Sequence, residues 1–274
     1  MNTNPGGSLG DNKFPMPEFQ KLDDLSNFLR NCRGYDYTNN LVIPDLISNK
    51  RVAELGSGHG YMTIELSRYA SKIDGYDVDR DGIKTAIRLS SKFEISNLNF
   101  YLFNGYQTDA SDGSYETVLS CDVIEHVPDP NSYLKECYRI LEKNGMFILT
   151  TPNGLIAKKK DYIIKSHSDY HITEYYPAEL NSMLASAGFR VELWYSKVNT
   201  VSHGYRLSNY EKLKLYIYSK LDKRTRDIMK TLLERKPKKI VNCADSYKNY
   251  KVLEMPMEEI NDANCDVIII VARK

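Results

Sequence analysis

From Arg51 onward, the hydrophobic positions of the chain alternate between short continuous runs and segments with helical spacing. Short apolar runs predict buried strands, and apolar residues repeated at every third or fourth position predict amphipathic helices. Strands that follow one another through helices form a parallel sheet covered on both faces. The predicted helices are 61–69, 80–92, 131–141 and 177–187. The predicted strands are 51–55, 72–77, 98–103, 117–120, 146–150, 190–194 and 266–272.

The N-terminus and one long internal stretch do not follow this alternation. Residues 1–17 are rich in Asn, Gly and Pro and predict a flexible terminus, whereas 18–33 carry apolar residues on one helical face. The stretch 197–264 is basic in its middle, with 12 Lys and Arg against 4 Asp and Glu from Arg206 to Lys239. We predict a core of residues 18–196 and 265–274. Residues 197–264 are predicted to be a helical insertion, a lid that forms part of the substrate pocket, because loops that follow parallel strands gather where ligands bind.

Composition and charge exclude several classes of protein. The formal net charge of the 274-residue chain is +1, so the total charge gives no reason to expect nucleic acid or a membrane surface as partner. The hydrophobic fraction of 42% is sufficient for a packed core. No apolar run approaches the roughly 20 residues of a membrane helix, and the N-terminal residues lack a signal-peptide pattern. Five scattered cysteines disfavour a disulfide framework, so we expect a cytoplasmic protein.

The segment 51–66 combines a strand, a glycine-rich loop and the start of a helix. Glycines at 56, 58 and 60 let the backbone turn tightly and approach a ligand without an intervening Cβ. The helix that follows offers free N–H groups at its N-terminus. In a dinucleotide-binding fingerprint the third glycine would stand one position later, where this chain has Tyr61. The loop therefore predicts a nucleotide-like ligand but does not match the dinucleotide pattern.

Two acids restrict the ligand that this loop would bind. Glu54 precedes the first glycine by two residues, where it would repel a pyrophosphate and attract a cation. Asp77 ends the second predicted strand, where an acid accepts hydrogen bonds from ribose hydroxyls. The implied ligand is an adenosine-like ribose that lacks a diphosphate and carries positive charge.

These residues resemble the class I methyltransferases that use S-adenosylmethionine. Residues 51–60 look like the E/D-x-G-x-G-x-G motif of that family, and residues 115–130 are similar to its segment F-D-x-V-x-x-x-x-V-L-E-H-V-x-D-P, found in many small-molecule enzymes. Residues 139–145 resemble the turn R-x-L-K-P-G-G, with the Pro and the first Gly replaced. The resemblance implies a Rossmann-like, doubly wound sheet of seven strands, mostly parallel with an antiparallel last strand. It also implies S-adenosylmethionine as cofactor and S-adenosylhomocysteine as product.

The resemblance further implies where the cofactor is held. Asp77 matches the acid that binds both ribose hydroxyls, and Val78 matches the residue beside the adenine. Asn104 replaces the usual Asp, and its amide oxygen is expected to accept from the adenine amine. The carbonyl groups of Ser120 and Cys121 are candidates for the methionine amine. The predicted cofactor-binding residues are Glu54, Gly56, Ser57, Gly58, Gly60, Asp77, Val78, Asn104, Gly105, Cys121 and His126.

Two histidines, His126 and His171, are the candidates for the chemistry. A hydroxyl acceptor must lose a proton, and imidazole suits that task near neutral pH. His126 ends the Glu-His pair of the V-L-E-H-V-type segment, where a structural hydrogen bond near the cofactor is the alternative role. His171 lies in a stretch that resembles H-x-x-x-F-T-P-x-x-L of the family. Asp122, Glu125 and His126 with a later His are also similar to the metal ligands of certain relatives, but the Glu-His pair is common in relatives without metal, and we expect no divalent metal.

The sequence thus predicts methyl transfer to a hydroxyl of a small metabolite. The basic insertion suggests a carbohydrate or a phosphorylated or otherwise anionic acceptor, and N-methylation of an amine is the nearest alternative. A nucleotide-binding oxidoreductase is disfavoured by Tyr61 and Glu54, and a nucleic-acid methyltransferase by the net charge. A catalytically inactive binding module is disfavoured by the intact glycine loop and Asp77. The oligomeric state stays open, with a homodimer as one option.

Overall fold

The computed structural model describes residues 19–31, 43–157, 171–199, 240–241, 250–260 and 267–274. Short 3₁₀ turns span Ile124–His126 and Met257–Glu259. The helices are α1 (Leu22–Asn31), α2 (Ile43–Ile47), α3 (Tyr61–Leu66), α4 (Arg80–Lys92), α5 (Pro130–Ile140), α6 (Gly154–Ala157) and α7 (Pro177–Ser186). The strands are β1 (Arg51–Leu55), β2 (Lys72–Asp77), β3 (Leu98–Leu102), β4 (Tyr115–Cys121), β5 (Leu141–Pro152), β6 (Arg190–Asn199), β7 (Ile240–Val241), β8 (Tyr250–Glu254) and β9 (Val267–Arg273). Among the described residues, no helix combines the length and the apolar character needed to cross a bilayer.

All the strands belong to one sheet in the order β3-β2-β1-β4-β5-β9-β6-β8-β7. Strands β1 to β5 are parallel to one another, and β9 is antiparallel to both β5 and β6. The chain runs outward from β1 to β3 and then returns to β4 on the other side of β1. This reversal places a crevice at the carboxyl ends of β1 and β4, the position where open parallel sheets bind ligands.

The two faces of the sheet pack against different helices. Val52 and Leu119 face a core that includes α1, α3 and α4. Ala53 and Val118, which adjoin them and pair with each other across β1 and β4, face a core on the other side of the sheet that includes α5 and α7. Strands buried on both faces are continuously apolar, which is why the central strands could be recognised as apolar runs. The doubly wound arrangement predicted from the sequence is confirmed.

The seven predicted strands are all present, and the last strand, β9, is antiparallel as expected. The predicted helical insertion over 197–264 stays a prediction, because the structure describes only residues 197–199, 240–241 and 250–260 of it. They form the end of β6, the added strands β7 and β8, and a 3₁₀ turn. Strand β6 runs on to Asn199, and its residues Tyr195–Asn199 pair with β8, which extends the sheet. The basic stretch 206–239 and residues 1–17 lie outside the described residues.

Candidate active site

The glycine loop between β1 and α3 is held against the carboxyl end of β2. The backbone N–H groups of Gly56 and Ser57 donate to the carbonyl oxygen of Tyr76 at 2.7 and 3.0 Å. Gly56, Gly58 and Gly60 all have left-handed backbone angles, with φ of 90°, 53° and 77°. This conformation disfavours residues with a Cβ, so the spacing of the glycines is dictated by the path of the loop.

Neighbouring side chains also leave no space for a Cβ at either end of the loop, which is a second reason for glycine at these two positions. A Cβ at Gly56 would lie 2.2 Å from a methyl carbon of Val123, two residues after the end of β4. A Cβ at Gly60 would lie 2.5 Å from the Cβ of Ala86 and 2.6 Å from the ring of Phe100. The loop is thereby packed between β4 on one side and α4 and β3 on the other, with its backbone facing the crevice.

Asp77, the last residue of β2, fixes the middle of the loop. Its Oδ2 accepts from the backbone N–H of Gly58 at 2.6 Å, and its Oδ1 accepts from the N–H of Asp79 at 2.8 Å. A carboxylate oxygen can accept more than one hydrogen bond, so both oxygens retain capacity for ribose hydroxyls. The structure brings the predicted ribose acid and the predicted glycine loop into direct contact.

An exposed apolar surface lies next to Asp77. Val78, Leu102 and Tyr106 are 62%, 44% and 37% exposed, and a Cβ at Gly105 would lie 3.5 Å from Val78. The apolar character of these exposed residues suits contact with a flat purine ring. The Oδ1 atom of Asn104, predicted to accept from the adenine amine, accepts from the N–H groups of Tyr106 and Gln107 at 2.9 and 2.8 Å. An adenine amine could bind that oxygen only if one of these bonds opened, because two acceptor positions are already used.

Glu54 lies in β1 beneath the loop and is only 1% exposed. Its Oε2 accepts from Thr63 Oγ1 at 2.6 Å, a contact between β1 and α3. The pKa of Glu54 is raised to about 7, chiefly because the carboxyl group is buried; the Thr63 bond lowers the pKa and the nearby carboxylate of Asp77 raises it. A cation that binds beside such a buried carboxyl group favours its charged form and therefore lowers its pKa.

The carboxyl end of β4 carries a thiol and two further carboxyl groups. Burial and the carboxylates of Glu54 and Glu125 hold the pKa of the Cys121 thiol well above its ordinary value, so Cys121 is a neutral side chain. Asp122 has a left-handed φ of 54°, and its Oδ1 accepts from Thr150 Oγ1 at 2.9 Å. Glu125 is 1% exposed, and its Oε2 accepts from Thr151 Oγ1 at 2.9 Å.

The two predicted catalytic histidines meet at this end of the sheet. The ring centres of His126 and His171 are 4.8 Å apart in an edge-to-face arrangement, and His171 Nδ1 lies 3.0 Å from Glu174 Oε1. The backbone N–H groups of Ile172 and Thr173 donate to the carbonyl oxygen of Glu125 at 2.8 and 3.2 Å. These two bonds tie the segment that carries His171 to the turn that carries His126.

Glu125, His126 and His171 also form a group that could hold a metal ion. Each offers one ligand atom, and the three atoms lie within 4.8 Å of one another. Two imidazoles and a carboxylate suit several transition metals. Asp122, which the sequence placed among the ligand types, does not belong to this group. The expectation that no divalent metal is bound stays a prediction.

Sequence reasoning missed the residues that support these groups. Thr63 holds Glu54, Glu174 holds His171, and Thr151 holds Glu125. For Glu174 a signal existed, because an acid three residues after a histidine can reach the imidazole. Thr151 is separated from Glu125 by 26 positions, and only the pairing of β4 with β5 brings them together.

The chain resembles known proteins over most of its described length. Residues 28–193 match the model of a family described as a methyltransferase domain. A probable S-adenosylmethionine-dependent methyltransferase of Mycolicibacterium smegmatis is 28% identical over 146 residues, which cover 53% of this chain and 54% of that protein. A ubiquinone biosynthesis O-methyltransferase of Xanthomonas oryzae is 27% identical over 212 residues, covering 70% and 87%. For three of the relatives the match spans only about half to two thirds of their length, at 54%, 65% and 60%.

Solved structures show the same fold at lower identity. A methyltransferase from Thermotoga maritima superposes with a TM-score of 0.58 at 16% identity, covering 92% of this chain and 94% of that one. A methyltransferase from Mesorhizobium loti gives a TM-score of 0.53 at 11% identity, covering 90% and 100%. Because the family match covers more than half of the chain and coincides with the glycine loop, Asp77 and the strand order, the chain belongs to the class I S-adenosylmethionine-dependent methyltransferase family.

Proposed function

We propose that this chain transfers a methyl group from S-adenosylmethionine to a hydroxyl group of a small metabolite. The observation that carries the proposal is the placement of Glu54 and Asp77, two acids at neighbouring strand ends on either side of one glycine loop. This arrangement suits a cationic adenosine ligand and would repel a diphosphate. The Xanthomonas oryzae relative is named as an O-methyltransferase, which supports a hydroxyl acceptor.

The residues around the glycine loop fit the cofactor. Asp77 would bind the ribose hydroxyls, and the exposed surface of Val78, Leu102 and Tyr106 would receive the adenine. Glu54 would face the positively charged amino-acid part, which explains why a buried carboxyl is retained beneath the loop. When bound, S-adenosylmethionine would supply an electrophilic methyl group to the acceptor.

His171 and its neighbours would align the methyl acceptor and remove its hydroxyl proton. Alignment of acceptor and methyl group provides much of the rate, and removal of the acceptor's hydroxyl proton provides the rest. With Nδ1 held by Glu174, the Nε2 atom of His171 is the position that would take this proton. His126, in edge contact with the His171 ring, would limit the ring's rotation.

Ligand binding tests the cofactor separately from the acceptor. Thermal unfolding is measured with S-adenosylmethionine, S-adenosylhomocysteine and NAD(H) in parallel. A ligand at 100 times its Kd adds about 2.7 kcal/mol, which raises the Tm by several degrees for a chain of this size. We expect a higher Tm with the two adenosyl ligands alone, and a higher Tm with NAD(H) alone would contradict the proposal. Transfer of labelled methyl to hydroxyl or amine acceptors, with products identified by mass spectrometry, then decides between O- and N-methylation.

A further inference from the structure

Strand β3 lies at one end of the sheet, and one of its sides has no strand partner in the part of the chain that the structure describes. On the other side, the carbonyl oxygen of Asn97 accepts a hydrogen bond from β2 at 2.9 Å, and the N–H of Phe103 donates one to β2 at 3.1 Å. Alternate residues of a strand direct their backbone groups to opposite sides. The residues whose backbone groups face the free side are therefore Leu98, Phe100 and Leu102.

The sequence of β3 lacks the features that protect the edge of a sheet. Edge strands of native proteins are usually short, charged or interrupted by Pro, because unpaired backbone groups allow another chain to pair with them. Residues 95–106 contain no Pro, Asp, Glu, Lys or Arg, although the four charged residues make up 27% of the chain. At the other end of the described sheet, β7 has only two residues and follows Pro237, Lys238 and Lys239 in the sequence. The contrast between the two edges indicates that β3 pairs with another chain.

A groove of about 350 Å³ lies between β3 and helix α4. Ile87, Ile95 and Leu98 are among the residues that line it. Ile87 is 46% exposed, and Leu102, further along the strand, is 44% exposed. Protein interfaces bury exposed aliphatic side chains of this kind. The free side of β3 thus offers both unpaired backbone groups and an apolar surface.

We propose that β3 pairs with β3 of a second copy of this chain, antiparallel and with Phe100 opposite Phe100. In this register Leu98 faces Leu102 of the second copy, and Asn99 faces Tyr101. Apolar positions then meet apolar ones, polar positions meet polar ones, and no like charges are brought together along the strands. A charged partner strand would find no opposite charge among residues 95–106, so the strand favours a second copy of itself.

The same register satisfies the backbone groups on the free side of β3. Residues that lie directly opposite and face one another in an antiparallel pair exchange both of their hydrogen bonds. Phe100 would bond to its counterpart, and Leu98 of each copy would bond to Leu102 of the other. The exposed side chain of Leu102 would then lie beside Leu98 of the second copy, at the groove between β3 and α4.

Helix α4 would also meet its counterpart. Antiparallel neighbouring strands are related by a two-fold axis perpendicular to the sheet, so both copies of α4 would lie on the same face. A Cβ at Gly60 would contact both Ala86 of α4 and the ring of Phe100, which places this part of α4 level with Phe100. Ile87, the next residue, would therefore pack against the second copy near the axis.

Sedimentation of the full chain tests the pairing through its dimerisation Kd. The wild type is compared with Ile87→Lys, with Asn99→Lys and with the control Ala185→Lys, which adds the same charge to an exposed position of α7 on the opposite face of the sheet. Asn99 Nδ2 donates to Asp74 Oδ1 at 2.8 Å, so a Lys at position 99 can keep a bond to that carboxylate. The Tm and the Kd for S-adenosylhomocysteine of every variant report on folding, because none of the three positions belongs to the predicted cofactor site.

We expect the wild-type chain to form a dimer, and Ile87→Lys and Asn99→Lys each to raise the dimerisation Kd by at least about tenfold, because like charges close together at an interface repel one another. Ala185→Lys should keep the wild-type Kd. Amide hydrogen exchange, followed residue by residue by NMR, should be slower at Leu98, Phe100 and Leu102 in the wild-type dimer than in Ile87→Lys. The N–H of Phe103, which is bonded to β2, should be equally protected in both proteins.

Three results would overturn this proposal. The first is a wild-type chain that stays monomeric at every concentration measured, and the second is a dimer whose Kd is the same in Ile87→Lys and Asn99→Lys as in Ala185→Lys. The third is equal exchange at Leu98, Phe100 and Leu102 in the wild type and in Ile87→Lys, which would place the contact elsewhere on the chain. None of these results bears on the proposed function, which the binding of S-adenosylhomocysteine tests separately.

Discussion

The Oδ2 atom of Asp77 accepts a 2.6 Å hydrogen bond from the backbone N–H of Gly58. One carboxylate thus shapes the glycine loop and, in the proposed function, also binds the ribose hydroxyls. A hydrogen bond to a charged group contributes about 1.5–3 kcal/mol, roughly twice a neutral one. The loop and the ribose site are therefore coupled through this side chain.

Replacing Asp77 with Asn should weaken cofactor binding while the fold persists. The amide oxygen can still accept from Gly58, but the charge and one acceptor position are lost. We expect the Kd for S-adenosylhomocysteine to rise by about 10- to 100-fold, the equivalent of one charge-assisted hydrogen bond. Isothermal titration calorimetry measures this change. Asp81→Asn, an exposed carboxyl in the first turn of α4, is the matched control and should leave the Kd unchanged. Equal Kd values for Asp77→Asn and the wild type would contradict the assignment of Asp77.

Alanine at Gly60 should disrupt both the loop and the packing beneath it. The new Cβ would lie 2.5 Å from Ala86 and 2.6 Å from Phe100, at a left-handed φ of 77°. Backbone strain and overpacking together should lower the free energy of unfolding by about 2–5 kcal/mol. Gly58→Ala has a similarly left-handed φ but no neighbour within 4 Å, so it isolates the strain. Urea unfolding of both variants should show Gly58→Ala to be the more stable, and the reverse order would contradict this packing argument.

Strands such as β5 and β9 could be predicted because they are buried over most of their length and form continuous apolar runs. Strands β3 and β6 carry exposed residues and were predicted as short apolar segments next to predicted helices. β7 and β8 were not predicted, since two and five residues at the edge of the sheet give no such run, and they pair through the extension of β6. Glu54 and Asp77 were predicted because both stand at fixed positions relative to the glycines. The hydrogen bond between Thr151 and Glu125 could not be predicted, because it depends on the pairing of β4 with β5.

The pair of His171 and Glu174 predicts separate effects on catalysis and on cofactor binding. His171→Gln removes the group to which we assign the acceptor's proton, so kcat should fall by about 10²- to 10⁴-fold, the range for general bases. Glu174→Gln keeps a hydrogen bond to Nδ1 but removes the charge, so its loss should be smaller. Both are measured with the hydroxyl acceptor that gives the highest wild-type rate, and the Kd for S-adenosylhomocysteine should stay within about threefold of wild type because neither residue belongs to the predicted cofactor set. A kcat for His171→Gln close to wild type would exclude His171 as the base.

Glu54 should make the stability of the unliganded protein fall as the pH rises from about 4.5 to 7. The pKa of Glu54 is raised from 4.5 to about 7 in the fold, chiefly by burial, so over this range the unfolded chain releases the proton before the folded chain does. Each unit by which the folded pKa exceeds the unfolded pKa corresponds to about 1.4 kcal/mol in the free energy of unfolding. Between pH 4.5 and pH 8, the free energy of unfolding of Glu54→Gln should therefore rise by about 3 kcal/mol relative to that of the wild type. Urea unfolding of the two proteins at both pH values measures this difference, and the other carboxyl groups cancel because they are common to both.

The same ionisation should strengthen cofactor binding, because a cationic ligand favours the charged form of Glu54. In the wild type, the affinity for S-adenosylhomocysteine, which carries an ammonium group, should rise as the pH increases from 6 to 8. In Glu54→Gln, calorimetric titration at pH 6, 7 and 8 should give weaker binding with little dependence on pH. Thr63→Val removes only the donor to Oε2 and should keep the wild-type rise, displaced toward higher pH, because the lost hydrogen bond had lowered the pKa. A rise of equal size in the wild type and in Glu54→Gln would show that the pH dependence comes from another group.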